Sequence, residues 1–238
     1  MPPPRSRPAD MGFDLPSLPL EPVPTAAERA AERLRELIFQ GRFPPGVTLP
    51  ETRFAGAFQV SRNTVREAFR LLVNDNLLSY EMHRGMFVRQ LDEDDIHDIY
   101  ASRREVELAA LAAFDPAVTD LARLSRAVED AERAAAEDWR EVGTHNLRFH
   151  EELVAFLSSP RRSRFFHALM TEVRLGFLAI SDFRQLHEPY VRWNRQLRDL
   201  LAAGELERVR HELEDYLAEA ERQIAEAVAR QTASGEDG

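Results

Sequence analysis

Between Pro50 and Val88 the hydrophobic period of the chain changes twice within one short stretch, and few folds accommodate such a pattern. A short helix is expected after Pro50, turning Phe54, Ala55 and Phe58 inward. Gln59 and Val60 form a tight connection, and Ser61 is a good N-cap because its hydroxyl can accept from an orphan backbone N–H. The helix it starts should run to about Asn74, with Val65, Phe69, Leu72 and Val73 at i, i+4, i+7 and i+8 as its buried stripe. The period then shortens. Residues 77–80 and 86–88 are strand-like runs, and His83, Arg84 and Gly85 read as the turn between them, which makes a β-hairpin. Upstream, helical periodicity begins near Ala26, carries Leu34, Leu37 and Ile38 on one face and stops at Gly41, before a turn at Phe43-Pro44-Pro45-Gly46. Two short helices, a tight turn and a hairpin describe a winged helix-turn-helix over residues 25–90.

From Asp92 onward the pattern is helical almost without interruption. Asp92 can cap the first of these helices, and Asp95 adds favourable charge in its first turn. Helices are expected near 93–113, 117–136, 138–157, 161–181, 188–203 and 205–230, broken at Ser158-Ser159-Pro160 and Ala202-Ala203-Gly204. No strand pattern and no internal repeat occurs there. The fold class is therefore mainly α: a winged helix-turn-helix followed by an antiparallel all-α bundle of six to seven helices over 91–231. Residues 1–24 hold eight of the fourteen prolines and are expected to be a disordered tail, as is the polar stretch 232–238.

Charge divides the chain in the same place. The net charge of −10 argues against a nucleic-acid partner if taken globally. Residues 25–90, however, carry 10 Arg against 7 Asp and Glu, while residues 1–24 carry −1, which leaves −12 on the rest. A basic module joined to an acidic one is the asymmetry expected of a nucleic-acid-binding part. Every cation is Arg, since the chain has no Lys. The absence of Cys excludes disulfides, thiolate catalysis and Cys-type zinc sites. No apolar run approaches the ~20 residues that cross a membrane, and no secretory signal is visible, so a cytoplasmic protein is expected.

The second helix of the pair would enter the major groove. Arg62, Asn63 and Arg66 lie opposite Val65 and Phe69, and these residue types can bind guanine and adenine edges in a bidentate manner. Arg53 and Thr64 could hold phosphates. Arg84 and Gly85 at the wing tip suit a minor-groove or backbone contact, where a glycine allows close approach. The competing reading, a solvated helix face, is preferred for Arg70 but not for a set that occurs in this order. An enzyme finds little support: there is no G-x-S-x-G, no P-loop and no H-E-x-x-H, of which His150-Glu151-Glu152 matches only half. An architectural DNA binder without a ligand is the other alternative.

The run Val60-Ser61-Arg62-Asn63-Thr64-Val65-Arg66-Glu67-Ala68, the preceding Leu49-Pro50-Glu51 and the wing His83-Arg84-Gly85-Met86-Phe87-Val88 resemble the GntR family of bacterial regulators over residues 26–90. Residues 95–107, Phe149-His150-Glu151-Glu152-Leu153 and the segment 200–205 resemble the all-helical FCD effector domain of its FadR-type subfamily. The resemblance implies a homodimer that reads a palindromic operator, usually as a repressor, with Arg53, Arg62, Asn63, Arg66 and the Arg84-Gly85 pair near the DNA. It also implies an effector site. Many members hold a metal with one Asp and three His beside a carboxylate effector. Here those positions fall on Asn146, His150, Asn194 and Tyr216, so only one good donor is kept, and neither a metal nor another cofactor is expected. Periodicity puts Asn146 and His150 on one apolar stripe, Asn194 on a second, Tyr216 on a third and Arg103 on a fourth. Such inward polar residues are either a satisfied core network or the lining of an effector cavity, with Arg103 as a clamp for a small organic acid.

Overall fold

The computed structural model describes residues 23–236, with side chains to 231. The tail expected over 1–24 lies almost wholly outside the described residues.

The first helix, α1 (Ala26–Phe39), opens with a capping box in which Thr25 accepts from the Glu28 N–H and the Glu28 carboxylate accepts from the Thr25 N–H. It is followed by α2 (Glu51–Phe58) and α3 (Arg62–Asn74), and then by the antiparallel pair β1 (Leu78–Glu81) and β2 (Gly85–Val88). Gln59 turns the chain between α2 and α3 in the left-handed region, at φ 55°. Ser61 accepts from the Thr64 N–H, as an N-cap should. An isolated bridge from Thr48 to Phe87 extends the hairpin by one pairing. Leu34, Ile38, Val65, Phe69, Leu72, Leu77 and Val88 close the core of this half. Val73, expected on the buried stripe of α3, is 37% exposed and lines an open groove instead. Leu72, with Leu71 partly buried beside it, covers the core at that turn.

Six helices follow: α4 (Glu93–Ala112), α5 (Ala122–Ala134), α6 (Trp139–Val154), α7 (Pro160–Phe177), α8 (Phe183–Ala202) and α9 (Leu206–Glu236). A 3-10 turn, Ala155–Leu157, ends α6. Together with α1–α3 they make the protein 72% helical, with the wing as its small sheet. Several boundaries differ from expectation, α7 ending at Phe177 rather than near 181. α5 begins later because Asp115 and Asp120 accept from nearby backbone N–H groups and hold residues 115–121 in turns. α8 begins earlier because Asp182 caps it, and Pro189 is accommodated inside the helix rather than opening it. α9 continues through 232–236, a stretch expected to be tail. In the bundle, α6 is packed against α5, α7 and α8, and α4 against α9.

The two halves meet at α1 and α7. Arg89, just past the wing, pairs with Asp95 at 2.5 Å and reaches Glu172 of α7 at 3.7 Å. Arg174 of α7, fully buried, donates to the carbonyls of Gln40 in the first half and Arg140 in the second. Among the described residues no helix is long and apolar enough to cross a membrane.

Candidate functional site

The first site is an open groove of about 1020 Å3 between α2, α3 and the wing, lined by Arg62, Arg66, Arg70, Arg84, Gly85 and Glu51. Arg66 donates through Nε to both oxygens of Glu51, at 2.8 and 2.9 Å, and Arg62 stands 3.5 Å from the same carboxylate. Hydrogen bonding to Arg66 lowers the Glu51 carboxyl below its usual range. Asn63 and Arg53 are exposed on α3 and α2, and Arg53 lies off the groove lining. Thr64 shares a 2.8 Å hydroxyl contact with Ser61 and so belongs to the cap of α3. At the wing, Arg84 folds back: Nη2 donates to the Gly46 carbonyl at 2.9 Å and the guanidinium lies 4.0 Å from the Phe87 ring centre. Gly85 has φ +85°, which favours glycine, while a Cβ there would meet open space. Arg70, read from sequence as a solvated residue, shares the groove with Arg62 and Arg66.

The second site is in the bundle. Asn146, Asn194 and Tyr216, from α6, α8 and α9, converge as their mapping requires. The Asn146 side-chain oxygen accepts from Tyr216 Oη at 2.8 Å and from Asn194 Nδ2 at 3.2 Å. His150 stacks edge-on against Tyr216, with ring centres 4.9 Å apart, but its hydrogen bond goes elsewhere: Nδ1 meets Glu107 Oε2 at 2.6 Å. Arg103 Nε donates to the other Glu107 oxygen at 3.0 Å. Arg103, Glu107 and His150 are all within 2% of fully buried. Burial works against every charge in this row. It would raise the Glu107 carboxyl, yet His150 and Arg103 outweigh it and hold the group anionic. Burial, with Arg103 added, depresses His150 against the opposing pull of Glu107. Arg103 remains a cation because Glu107 offsets its desolvation.

Glu107 is the residue that sequence reasoning missed. Its signal was present: it stands four residues after Arg103, the spacing at which helix side chains meet. Tyr100 and His187 also line this cavity together with Arg103, Asn146, His150, Tyr190 and Tyr216. The space between them is about 10 Å3, room for one water and no more. Among the described residues, Tyr100 Oη, Arg103 Nη2, His150 Nε2 and both His187 nitrogens are buried there without a hydrogen-bond partner. A zinc-like ion is a poor fit. Tyr216 is pushed well above the ordinary phenol range by burial and spends its proton on Asn146, and Asn146 and Asn194 are amides bonded to each other. No group of three or more His, Asp or Glu able to hold a metal occurs among the described residues.

Comparisons with known proteins agree with both halves. Residues 26–88 match the bacterial regulatory proteins of the gntR family, and residues 98–219 match the FCD domain. The chain is 31% identical over 216 residues to the HTH-type transcriptional regulator BphR of Paraburkholderia xenovorans, covering 83% of this chain and 86% of that one. It is 28% identical to the gluconate operon transcriptional repressor of Bacillus licheniformis, over 71% of this chain and 70% of that one. Among solved structures, a GntR transcriptional regulator from Rhodococcus sp. RHA1 is 41% identical, with a TM-score of 0.79 over 83% of this chain and 96% of that one.

Proposed function

The chain belongs to the gntR family of bacterial regulatory proteins and is a DNA-binding transcription regulator with an FCD domain; we propose that it is an effector-responsive homodimeric repressor acting in the cytoplasm. Several relatives are named as operon repressors, which supports the mode of action.

On DNA, Arg62, Asn63 and Arg66 read base edges, Arg53 and Thr64 hold phosphates, and Arg84 with Gly85 carries the wing contact. Glu51 then holds Arg66 and Arg62 in place until bases or phosphates compete for them. With an operator selected from random duplexes, Arg66→Ala should weaken specific binding about 5- to 150-fold, the loss of one bidentate base contact. Arg53→Ala should weaken binding to all sequences and flatten the salt dependence. Wild-type operator affinity in Arg66→Ala would remove α3 from the role of reading helix.

The observation that carries the effector reading is the set of orphaned polar atoms around one cavity. A buried donor or acceptor left unpaired costs about 1–3 kcal/mol, so a polar guest that pairs several of them is favoured. The proposed guest is a small organic acid, with its carboxylate on Arg103 and Tyr100. Because Glu107 already neutralises Arg103 and the space holds only one water, the acid has to displace part of the wall and take Arg103 from Glu107. A thermal-shift screen of small carboxylates, D-gluconate included, tests this, since a ligand that binds only the folded state raises its melting point. The response should vanish in an Arg103→Met, Glu107→Gln double variant, which removes both charges together. A response that survives would move the effector elsewhere. No transition metal is needed in this scheme. Near one equivalent of zinc, nickel or manganese per chain in elemental analysis, lost on His150→Ala, would overturn that part.

A further inference from the structure

Arg174 is a cation buried with no acid in hydrogen-bond contact among the described residues. Its guanidinium is fully enclosed, no carboxylate hydrogen-bonds to it, and Nε and Nη1 lack partners among the described residues. Only Nη2 is used, on the carbonyls of Gln40 at 3.4 Å and Arg140 at 3.1 Å. The position is set by two glycines. A Cβ on Gly41, at the corner after α1, would lie 2.9 Å from Nη2; a Cβ on Gly143 in α6 would lie 2.6 Å from Nη1. The same Gly143 point would be 2.5 Å from His187 Nε2. The guanidinium and the imidazole therefore both cover the bare face of Gly143, with Nη1 and Nε2 not hydrogen-bonded to each other in this structure. His187 is buried, with Phe177 edge-on at 4.9 Å and Phe183 stacked at 6.4 Å, and it forms part of the wall of the effector cavity.

We propose that Arg174 and His187 couple the effector cavity to the DNA-binding half, with Arg174 Nη1–H donating to Nε2 of a neutral His187 and Arg174 Nη2 holding the Gln40–Gly41 corner. The pairing satisfies an orphaned donor with an orphaned acceptor. It leaves His187 Nδ1–H as the polar atom offered to whatever fills the cavity. Movement of the imidazole then pulls on Arg174, and through it on the corner that ends α1. Burial keeps His187 neutral, as the acceptor role requires. The proposal rests on the effector reading for its biological meaning, but its geometry can be tested without any effector.

Two measurements on the full chain decide it. In 15N NMR at neutral pH, His187 should be the tautomer with Nδ1 protonated and Nε2 bare; an Nε2–H signal would overturn the proposal, with no variant needed. Amide hydrogen exchange then reads the corner. The Gly41 and Arg42 N–H groups bond to the Ile38 and Leu37 carbonyls. Arg174→Gln should raise their exchange at least tenfold relative to wild type. His187→Phe, which keeps the wall filled but removes the acceptor, should raise it too, with the exchange of the α3 core amides unchanged. Were Arg174 only a structural plug, His187→Phe would leave the corner like wild type, and that result would overturn the coupling. Failure of the carboxylate screen, by contrast, would strike the effector reading and leave the tautomer and exchange results standing.

Discussion

Glu107 shows how much depends on single buried groups. It has a cation on one oxygen and an imidazole on the other. Glu107→Gln should cost about 3–5 kcal/mol, because Arg103 would be left as a buried charge without its partner; urea unfolding measures it. Gly143→Ala should be destabilising for a different reason. Its new methyl would have to displace both Arg174 and His187, and overpacking of this kind costs about 1–3 kcal/mol. A third consequence concerns pH. Burial first, and Arg174 second, depress His187 from 6.5 to about 3. The folded state thus binds no proton there where the unfolded chain does. The stability from neutral His187 is fully present above about pH 6.5 and is lost as pH falls toward 3. Relative to His187→Phe, the wild type should lose about 1.4 kcal/mol per pH unit over that window. Comparing variant with wild type matters, because Glu172, raised by burial to about 7, contributes with the opposite sign between 4.5 and 7. A stability difference that stays flat from pH 7 to 4 would show that His187 protonates freely in the folded state.

At the scale of elements, α3 is the part most fully written in the sequence. Ser61 caps it, Val65, Phe69 and Leu72 bury it, and Gln59 turns the chain into it. Ser61→Ala should cost about 1 kcal/mol, the usual value of an N-cap, and should weaken DNA binding by loosening the first turn, where Arg62 and Asn63 stand; a chemical-denaturation series and a binding isotherm read the two effects. Glu51→Gln is expected to act in the other direction. Freed from their carboxylate, Arg62 and Arg66 should bind any duplex about two- to fivefold more tightly, in keeping with the modest worth of exposed ion pairs; an unchanged nonspecific affinity would show that Glu51 does not compete with DNA. In the bundle the sequence was less explicit. Periodicity found every helix, since each buries an apolar stripe, but local side-chain bonds at Asp115, Asp120 and Asp182 moved the starts of α5 and α8. The meeting of Asn146, Asn194 and Tyr216 was foreseen from the positions they occupy. Their hydrogen bonds to one another fit the expected cluster, and only His150 departs from it: it turns to Glu107 rather than to the amides, and no spacing rule says which of two nearby acceptors an imidazole takes. Arg174 and His187 escaped for a related reason, because what singles them out is a missing partner, and that is visible only when all helices are in place.

Over the whole molecule, charge and symmetry set the last expectation. The DNA-reading half carries +3 and the portion from residue 91 onward −12. An acidic bundle repels the phosphate backbone, so only the basic head can approach a duplex closely, and it does so with few charges to spare. One head with three net positive charges would bind nonspecifically and weakly at physiological salt, since phosphate neutralisation supplies nearly all of that affinity. Two heads on one rigid assembly double the phosphate contacts and add a second set of base contacts from the same side chains. They also fix the spacing of the two sites they read. A symmetric dimer should therefore protect a palindrome whose half-sites are about one helical turn apart, roughly 34–36 Å, or a multiple of it. Footprinting gives the symmetry of the site, and sedimentation of the same sample gives the number of chains. With Arg53→Ala in both subunits, the slope of log affinity against log salt should fall by about two phosphates' worth, one per head. A monomer in sedimentation that protects a single asymmetric half-site, with a slope change of only one, would mean that the bundle does not pair the heads and that effector control must act within one chain.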